Sequence, residues 1–207
     1  MRPAPRRPSE TVRIWTIQPV EVLARLEAEQ VLYAEPAYIW PEFRDAYDWL
    51  AGQMQRRIPG YGGRYPWWGW YQPRPDLRRS GHLPRGTAGV RLELELDPSQ
   101  VLLSDFEAWH IVLNHGYLAL TEAEDDAWDA RFQAAVSDRH AWPPPEPWYS
   151  EILRSWERIF DPSTELRAGL EALEKSEYWQ TQTRYVQATY EMLRLADVRR
   201  RTFFVAR

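Results

Sequence analysis

The chain of 207 residues contains no cysteine. That absence removes disulfides, thiolate nucleophiles and Cys-based zinc sites together, and it fits a reducing compartment such as the cytoplasm. No apolar run approaches the ~20 residues that cross a bilayer. The phosphate-cradling patterns G-x-x-x-x-G-K-[ST] and G-x-G-x-x-G are missing, and so is the nucleophile pattern G-x-S-x-G. The standard nucleotide-hydrolase, dinucleotide-fold and serine-hydrolase readings therefore lose support. Histidine is scarce, at four residues. No H-E-x-x-H occurs, and His110 and His115 do not have the i, i+4 spacing of a helical metal pair, so no metal site is expected. An excess of positive charge is lacking too. The formal net charge is -4, which argues against a nucleic-acid binder that uses its whole surface and leaves a local basic patch open.

What is present is aromatic. The chain holds 12 Trp among 44% hydrophobic and 27% charged residues, a globular composition with enough length for one sizeable core. Most single Trp residues are expected in that core. The densest segment is Tyr65–Thr87, YPWWGWYQPRPDLRRSGHLPRGT. It sets Trp67, Trp68, Trp70 and Tyr71 beside Arg74, Asp76, Arg78, Arg79, His82 and Arg85. Flat aromatic faces next to planar cations suit a planar or anionic ligand. If Tyr65–Gln72 is a strand, Trp68, Trp70 and Gln72 share one face and Trp67 and Tyr71 the other, so one face is core and the other either stacks a base or sugar ring or is itself buried between helices and sheet.

Along the chain, Met1–Glu10 is rich in Pro and Arg without a following apolar stretch, and residues 1–11 are read as a flexible tail rather than a secretory leader. Val12–Ile17 reads as a strand, followed by a helix from Pro19 to about Gln30. A second helix starts at Pro41 and ends at Arg56 and Arg57. Val90, Leu92, Leu94 and Leu96 alternate with Arg91, Glu93, Glu95 and Asp97, the pattern of a half-buried strand with a solvated charged face. Val101–Leu103 is a short strand. Ser104–Glu107 and Thr121–Glu124 read as capping boxes, the second opening a helix with Trp128, Phe132 and Ala135 on one face. The four prolines of His140–Trp148 suggest a linker. Helices are expected around Ile152–Phe160 and from near Pro162. Val186–Met192 alternates as a strand, with a partner strand at Arg201–Ala206. Strands at the start, middle and end with helices between give one α+β domain over residues 12–207, a small mixed or antiparallel sheet flanked by helices.

Several segments resemble a family of bacterial proteins described as domain of unknown function 3841. They are WTIQP (Trp15–Pro19), AYDWL with the following QM (Ala46–Met54), WGWYQ ending at Gln72, and RPDLR (Arg74–Arg78). GHLPRGT (Gly81–Thr87), VLLSDFEAWHIVLN (Val101–Asn114), SWERIFD (Ser155–Asp161) and VQATYEMLRLADV (Val186–Val198) complete the set. This resemblance spans nearly the whole chain after Arg13 and implies no activity. A weaker resemblance, in WTIQPVEVLARLEAEQVL and VQATYEML, is to ADP-ribosyltransferase-like folds. It implies NAD as cofactor and a glutamate on the late strand, for which Glu191 stands, on the polar face of Gln187 and Thr189. The first strand departs from that pattern, with Trp15, Thr16 and Gln18 where His or Arg usually holds NAD.

The site expected from these readings has His82 and Glu191 as catalytic groups. Arg74 and Arg78 would hold an anion, with Asp76 orienting either Arg78 or His82, and Trp70, Tyr71 and Gln72 would meet a planar ring. Asp105, Trp109, His110 and Asn114 meet in pairs on one helix and join Gln187 as further ligand contacts. Glu93 and Glu95 are read as a solvated pair, and Arg199–Arg201 as a surface run. The functional expectation is a cytoplasmic protein that binds a nucleotide-like or other planar anionic small molecule, of ADP-ribosyltransferase-like type if it is an enzyme. The alternative is a non-enzymatic module that grips a protein or single-stranded nucleic acid through exposed aromatics and Arg. No membrane partner is expected.

Overall fold

In a computed structural model, which describes residues 11–79, 81–161 and 185–207, the first strand β1 (Val12–Pro19) leads directly into helix α1 (Val20–Glu29). Pro19 is the N-cap, where its missing N–H costs nothing, and Leu23 and Leu26 point inward. Next come β2 (Val31–Tyr33), α2 (Arg44–Arg57), β3 (Trp67–Gln72), β4 (Ala88–Leu96) and β5 (Leu102–Asp105). Three helices follow, α3 (Phe106–Leu113), α4 (Glu122–Ala135) and α5 (Trp148–Trp156). The chain then returns through β6 (Val186–Tyr190), β7 (Met192–Arg194) and β8 (Val198–Val205). A six-stranded sheet runs β5-β6-β3-β1-β4-β8, and β2 pairs with β7 in a separate ribbon. The expected α+β architecture is present. The chain forms two units, Met1–Leu103 with Val186–Arg207, and Ser104–Tyr185.

Strict alternation builds the first unit. β4 lies between β1 and β8 in antiparallel register, with Ile14 opposite Leu94 and Thr16 opposite Leu92. Ile14, Val90, Leu92, Leu94, Ala188, Tyr190 and Leu193 form one apolar layer with Leu23, Leu26 and Leu32. Each fully buried Leu or Ile contributes about 1.5–3 kcal/mol through removal from water. The opposite strand face departs from the solvated reading. Arg91 is only 6% exposed and donates to the Pro75 carbonyl at 2.9 Å. Glu93 and Glu95 are bridged by Arg13 at 3.3 and 3.1 Å, and Arg199 reaches Glu95 at 3.0 Å. Charged residues of neighbouring strands meet there, so they pair across the sheet instead of facing water alone.

Two further expectations are corrected in this unit. The strand at the C-terminus pairs with β4, not with β6, because β6 takes β3 and β5 as neighbours. All five residues of β6 are buried, so Gln187 and Thr189 do not form a wet polar face. The Thr189 hydroxyl donates to the Leu102 carbonyl at 3.2 Å. Trp40, at 64% exposed, is an exception to the expectation that most Trp lie in the core.

The second unit is built from rings. Tyr117 stacks on Trp128 at 4.6 Å and Trp128 on Phe132 at 4.9 Å, with Trp148 edge-on to both. His115 lies flat on Trp142 at 3.9 Å, and Trp142 on Trp156. The segment 140–148 is thus not a linker: it delivers Trp142 and Trp148 to the two stacks and buries Pro144. At α3 the N-cap is Asp105, whose carboxylate accepts from Ala108 N at 3.0 Å. Ser104 is still in β5, so the cap sits one residue later than the capping-box reading. The cap of α4 is as expected, with Thr121 Oγ1 accepting from Glu124 N at 3.1 Å, although Ala135 is exposed. The helix expected from Pro162 lies outside the described residues, as does the tail before Thr11.

Candidate functional site

The pleat of β3 sorts the aromatic segment. Trp67 and Tyr71 pack on the apolar layer, and the Trp67 indole donates to the Leu32 carbonyl at 3.0 Å. Tyr71 is therefore on the core side of the sheet and partly buried there. Trp68 and Trp70 point to the other side. Tyr47 of α2 meets Trp68 edge-on at 6.0 Å, and His82 meets Trp70 edge-on at 6.3 Å. Trp70 is opposite Trp15 on one neighbour and Gln187 on the other. Trp15 donates to Glu93 at 3.2 Å. Gln187 is 5% exposed, and its Nε2 has no hydrogen-bond partner among the described residues. Gln72 follows a register shift and is exposed.

The segment after β3 folds back over this second face. Pro75 covers Arg91. Asp76 clamps Arg78 with three side-chain bonds of 2.8–3.1 Å and also accepts from its backbone N at 2.9 Å. The Arg78 guanidinium holds the Asp76 carboxyl down to about 2. Burial lowers the His82 pKa, and the nearby Arg79 charge adds to that. Both effects favour the neutral imidazole, and the Asp76 charge opposes them. Gly86 then takes a positive φ of 85°, a conformation suited to glycine, and its N–H donates to the Ala206 carbonyl at 2.9 Å. That bond ties the loop to the end of β8.

Where loop and strand meet, they enclose a hollow of about 780 Å³, lined by Leu77, Arg78, Arg85, Gly86 and residues 204–207. Phe204 is opposite Gly89 of β4. A Cβ at Gly89 would come within 2.5 Å of the Phe204 ring and 2.8 Å of Leu83, so glycine lets that ring lie across the sheet. Three arginines, Arg78, Arg85 and Arg207, line the hollow, and among the described residues no acidic side chain does. Arg85 and Arg207 have no side-chain hydrogen bond or ion pair among the described residues, and nor does exposed Arg74. The volume is within the range of small-molecule sites. Phe204 and Arg207 escaped the sequence reading. The signal that points to them is a phenylalanine pair flanked by arginines in the last strand, RRRTFFVAR.

The other expected site residues stand apart. Glu191 follows the end of β6, and its carboxylate accepts from Gly62 N at 2.8 Å. Burial, with the Glu191 charge adding to it, pushes the Tyr61 hydroxyl up to about 12. Tyr190 is opposite Trp67, whereas His82 packs on Trp70. Three strand residues separate those positions, roughly 10 Å. His82 and Glu191 therefore lie beside strand positions that differ by that length, and β6 ends one residue before the glutamate that the ADP-ribosyltransferase-like layout would place on it. In the second unit, Asp105 caps α3 and Trp109 is buried. His110 Nδ1 lies 2.9 Å from the Phe106 carbonyl, and Asn114 donates to the His110 carbonyl at 2.7 Å. These are bonds within one helix. Among the described residues no three His, Asp or Glu side chains gather as a metal site, and no helix is long and apolar enough to cross a membrane.

Neither a curated protein nor a solved structure matches the chain. The model of the family described as Domain of unknown function (DUF3841) matches residues 13–190, which include β1 to β6, and the chain belongs to that family.

Proposed function

We propose that the protein binds a small anionic molecule with a planar group, of nucleotide-like class, in the hollow between the 77–86 loop and the end of β8. The observation that carries this reading is the meeting of Arg78, Arg85 and Arg207 around Phe204, with no acidic side chain in the lining. A guanidinium grips phosphate or carboxylate through paired N–H bonds, and an aromatic floor takes the planar part. The stacking partner is Phe204 instead of Trp70 or Tyr71. Arg78 is held by Asp76, which leaves Arg85 and Arg207, without a side-chain partner among the described residues, as the grips. A cytoplasmic location, where such anions are abundant, is part of the same reading. Calorimetric titration with ATP, ADP and NAD tests it. Arg85→Ala is expected to weaken binding roughly tenfold, equal to about 1.4 kcal/mol. Equal affinity in wild type and Arg85→Ala would refute the site.

A second reading has its own observation. Tyr38 and Trp40 are 77% and 64% exposed, and Trp40 stacks on Phe43 at 5.9 Å. Such a surface suits a non-enzymatic module that grips single-stranded nucleic acid by stacking. Binding of a single-stranded oligonucleotide that weakens steeply with salt and is lost in Trp40→Ala would favour it.

A further inference from the structure

We infer that the second unit carries a separate oxyanion site, suited to a phosphoryl group, in the pocket between α4 and α5. This pocket of about 310 Å³ is lined by Tyr117, Arg131, Glu151, Arg154, Ser155 and Arg158. Three cations and one carboxylate face it, in a chain whose overall charge is negative.

The three guanidinium groups are held differently. Arg158 is anchored from behind: one terminal nitrogen donates to the Leu118 carbonyl at 2.5 Å and the other to Glu124 at 2.7 Å. Its plane lies near the Tyr117 ring. Arg131 donates to Glu151 Oε2 at 2.9 Å and rests against Trp148. Arg154 uses only its Nε, toward the Ser150 carbonyl at 3.2 Å. Its two terminal nitrogens have no partner among the described residues. That leaves a forked donor pair aimed from α5, and forked donors match the oxygens of a phosphoryl group.

The floor does not compete for these donors. The Ser155 hydroxyl is buried and already bonded twice, accepting from Leu118 N at 2.9 Å and donating to the Ile152 carbonyl at 2.7 Å. The Tyr117 hydroxyl donates to Glu124 at 2.7 Å. Glu151 Oε2 is taken by Arg131 and by the Trp128 indole at 3.0 Å. The pocket is therefore rich in donors, and its one carboxylate is largely neutralised. Arg131 and Arg158 are held by these bonds, and cations that need no rearrangement lose little entropy when an anion arrives.

Pyrophosphate is the probe, titrated by calorimetry into the full chain, with citrate as the carboxylate comparison. Wild type is expected to bind pyrophosphate more tightly than citrate. Arg154→Ala should weaken pyrophosphate binding roughly tenfold, as loss of a charge-assisted forked pair implies. Arg154 is exposed and makes one bond, so the variant should keep the wild-type melting temperature. Glu151→Gln should tighten binding, since it removes the only negative charge in the lining; a purely structural role for the cluster predicts no such gain. Arg85→Ala separates this site from the hollow beside β8. Pyrophosphate binding lost in Arg85→Ala but intact in Arg154→Ala would overturn this inference and leave the first site standing. No pyrophosphate binding by the wild type would overturn it as well.

Discussion

The two units fill their interiors by different means. In the sheet unit, Ile14, Leu92, Leu94 and their neighbours form an aliphatic layer under α1. In the helical unit, Tyr117, Trp128, Phe132 and Trp148 form one aromatic group, and His115, Trp142 and Trp156 form another. The backbone explains the difference. A pleated sheet presents a regular face that branched aliphatic side chains cover evenly. Three short helices joined by irregular segments leave uneven gaps, and broad rings fill those while their polar edges stay bonded. The Trp156 indole donates to the Gly116 carbonyl at 2.7 Å and the Trp128 indole to Glu151 at 3.0 Å. This accounts for four of the 12 tryptophans in the chain without a ligand.

The largest effect is expected at Trp156, which is fully buried. Trp156→Ala should destabilise by about 3–5 kcal/mol, since it opens a cavity and leaves the Gly116 carbonyl unpaired. Leu94→Ala, its aliphatic counterpart, should cost about 2–4 kcal/mol. Urea unfolding of both variants tests the contrast, and a larger loss for Leu94→Ala would break it. A smaller effect sharpens the role of local capping in the helical unit. Thr121→Ala should cost about 1 kcal/mol, read as a shift in the same unfolding midpoint. The smallest effect belongs to the sheet unit's loop. The folded-state pKa of Asp76 is depressed from 3.8 to about 2, so its contribution is fully present above 3.8 and is lost as pH falls through about 2. The pair is exposed and screened, so the expected outcome is a slight convergence of wild type and Asp76→Asn midpoints over that window.

Elements whose cause is local were legible from the residues alone. The alternation at 90–96 shows the buried strand face, Pro19 the start of α1, and Thr121 the cap of α4. The split of Trp67 and Tyr71 from Trp68 and Trp70 followed from the pleat, although the pleat does not say which side is core. Less of the site was legible. Arg78 was found with its Asp76 clamp, but Glu191, Asp105 and His110 turned out to bond to nearby backbone. A carboxylate in a bend and one at a helix cap look alike in sequence, and only their partners tell them apart. The proline-rich 140–148 segment was read as a linker because composition reports flexibility on average, whereas Trp142 in the middle of it docks on His115.

By itself the sequence determined the α+β class, the alternating strands, the Thr121 cap of α4 and a basic, aromatic loop in an acidic chain. These depend on neighbours within a turn or a strand, where geometry repeats. Only the tertiary structure decided that β8 pairs with β4, that Phe204 crosses Gly89, and that Arg85 and Arg207 face one hollow. Those outcomes depend on the register between distant strands, which burial of the whole sheet selects and no short segment encodes.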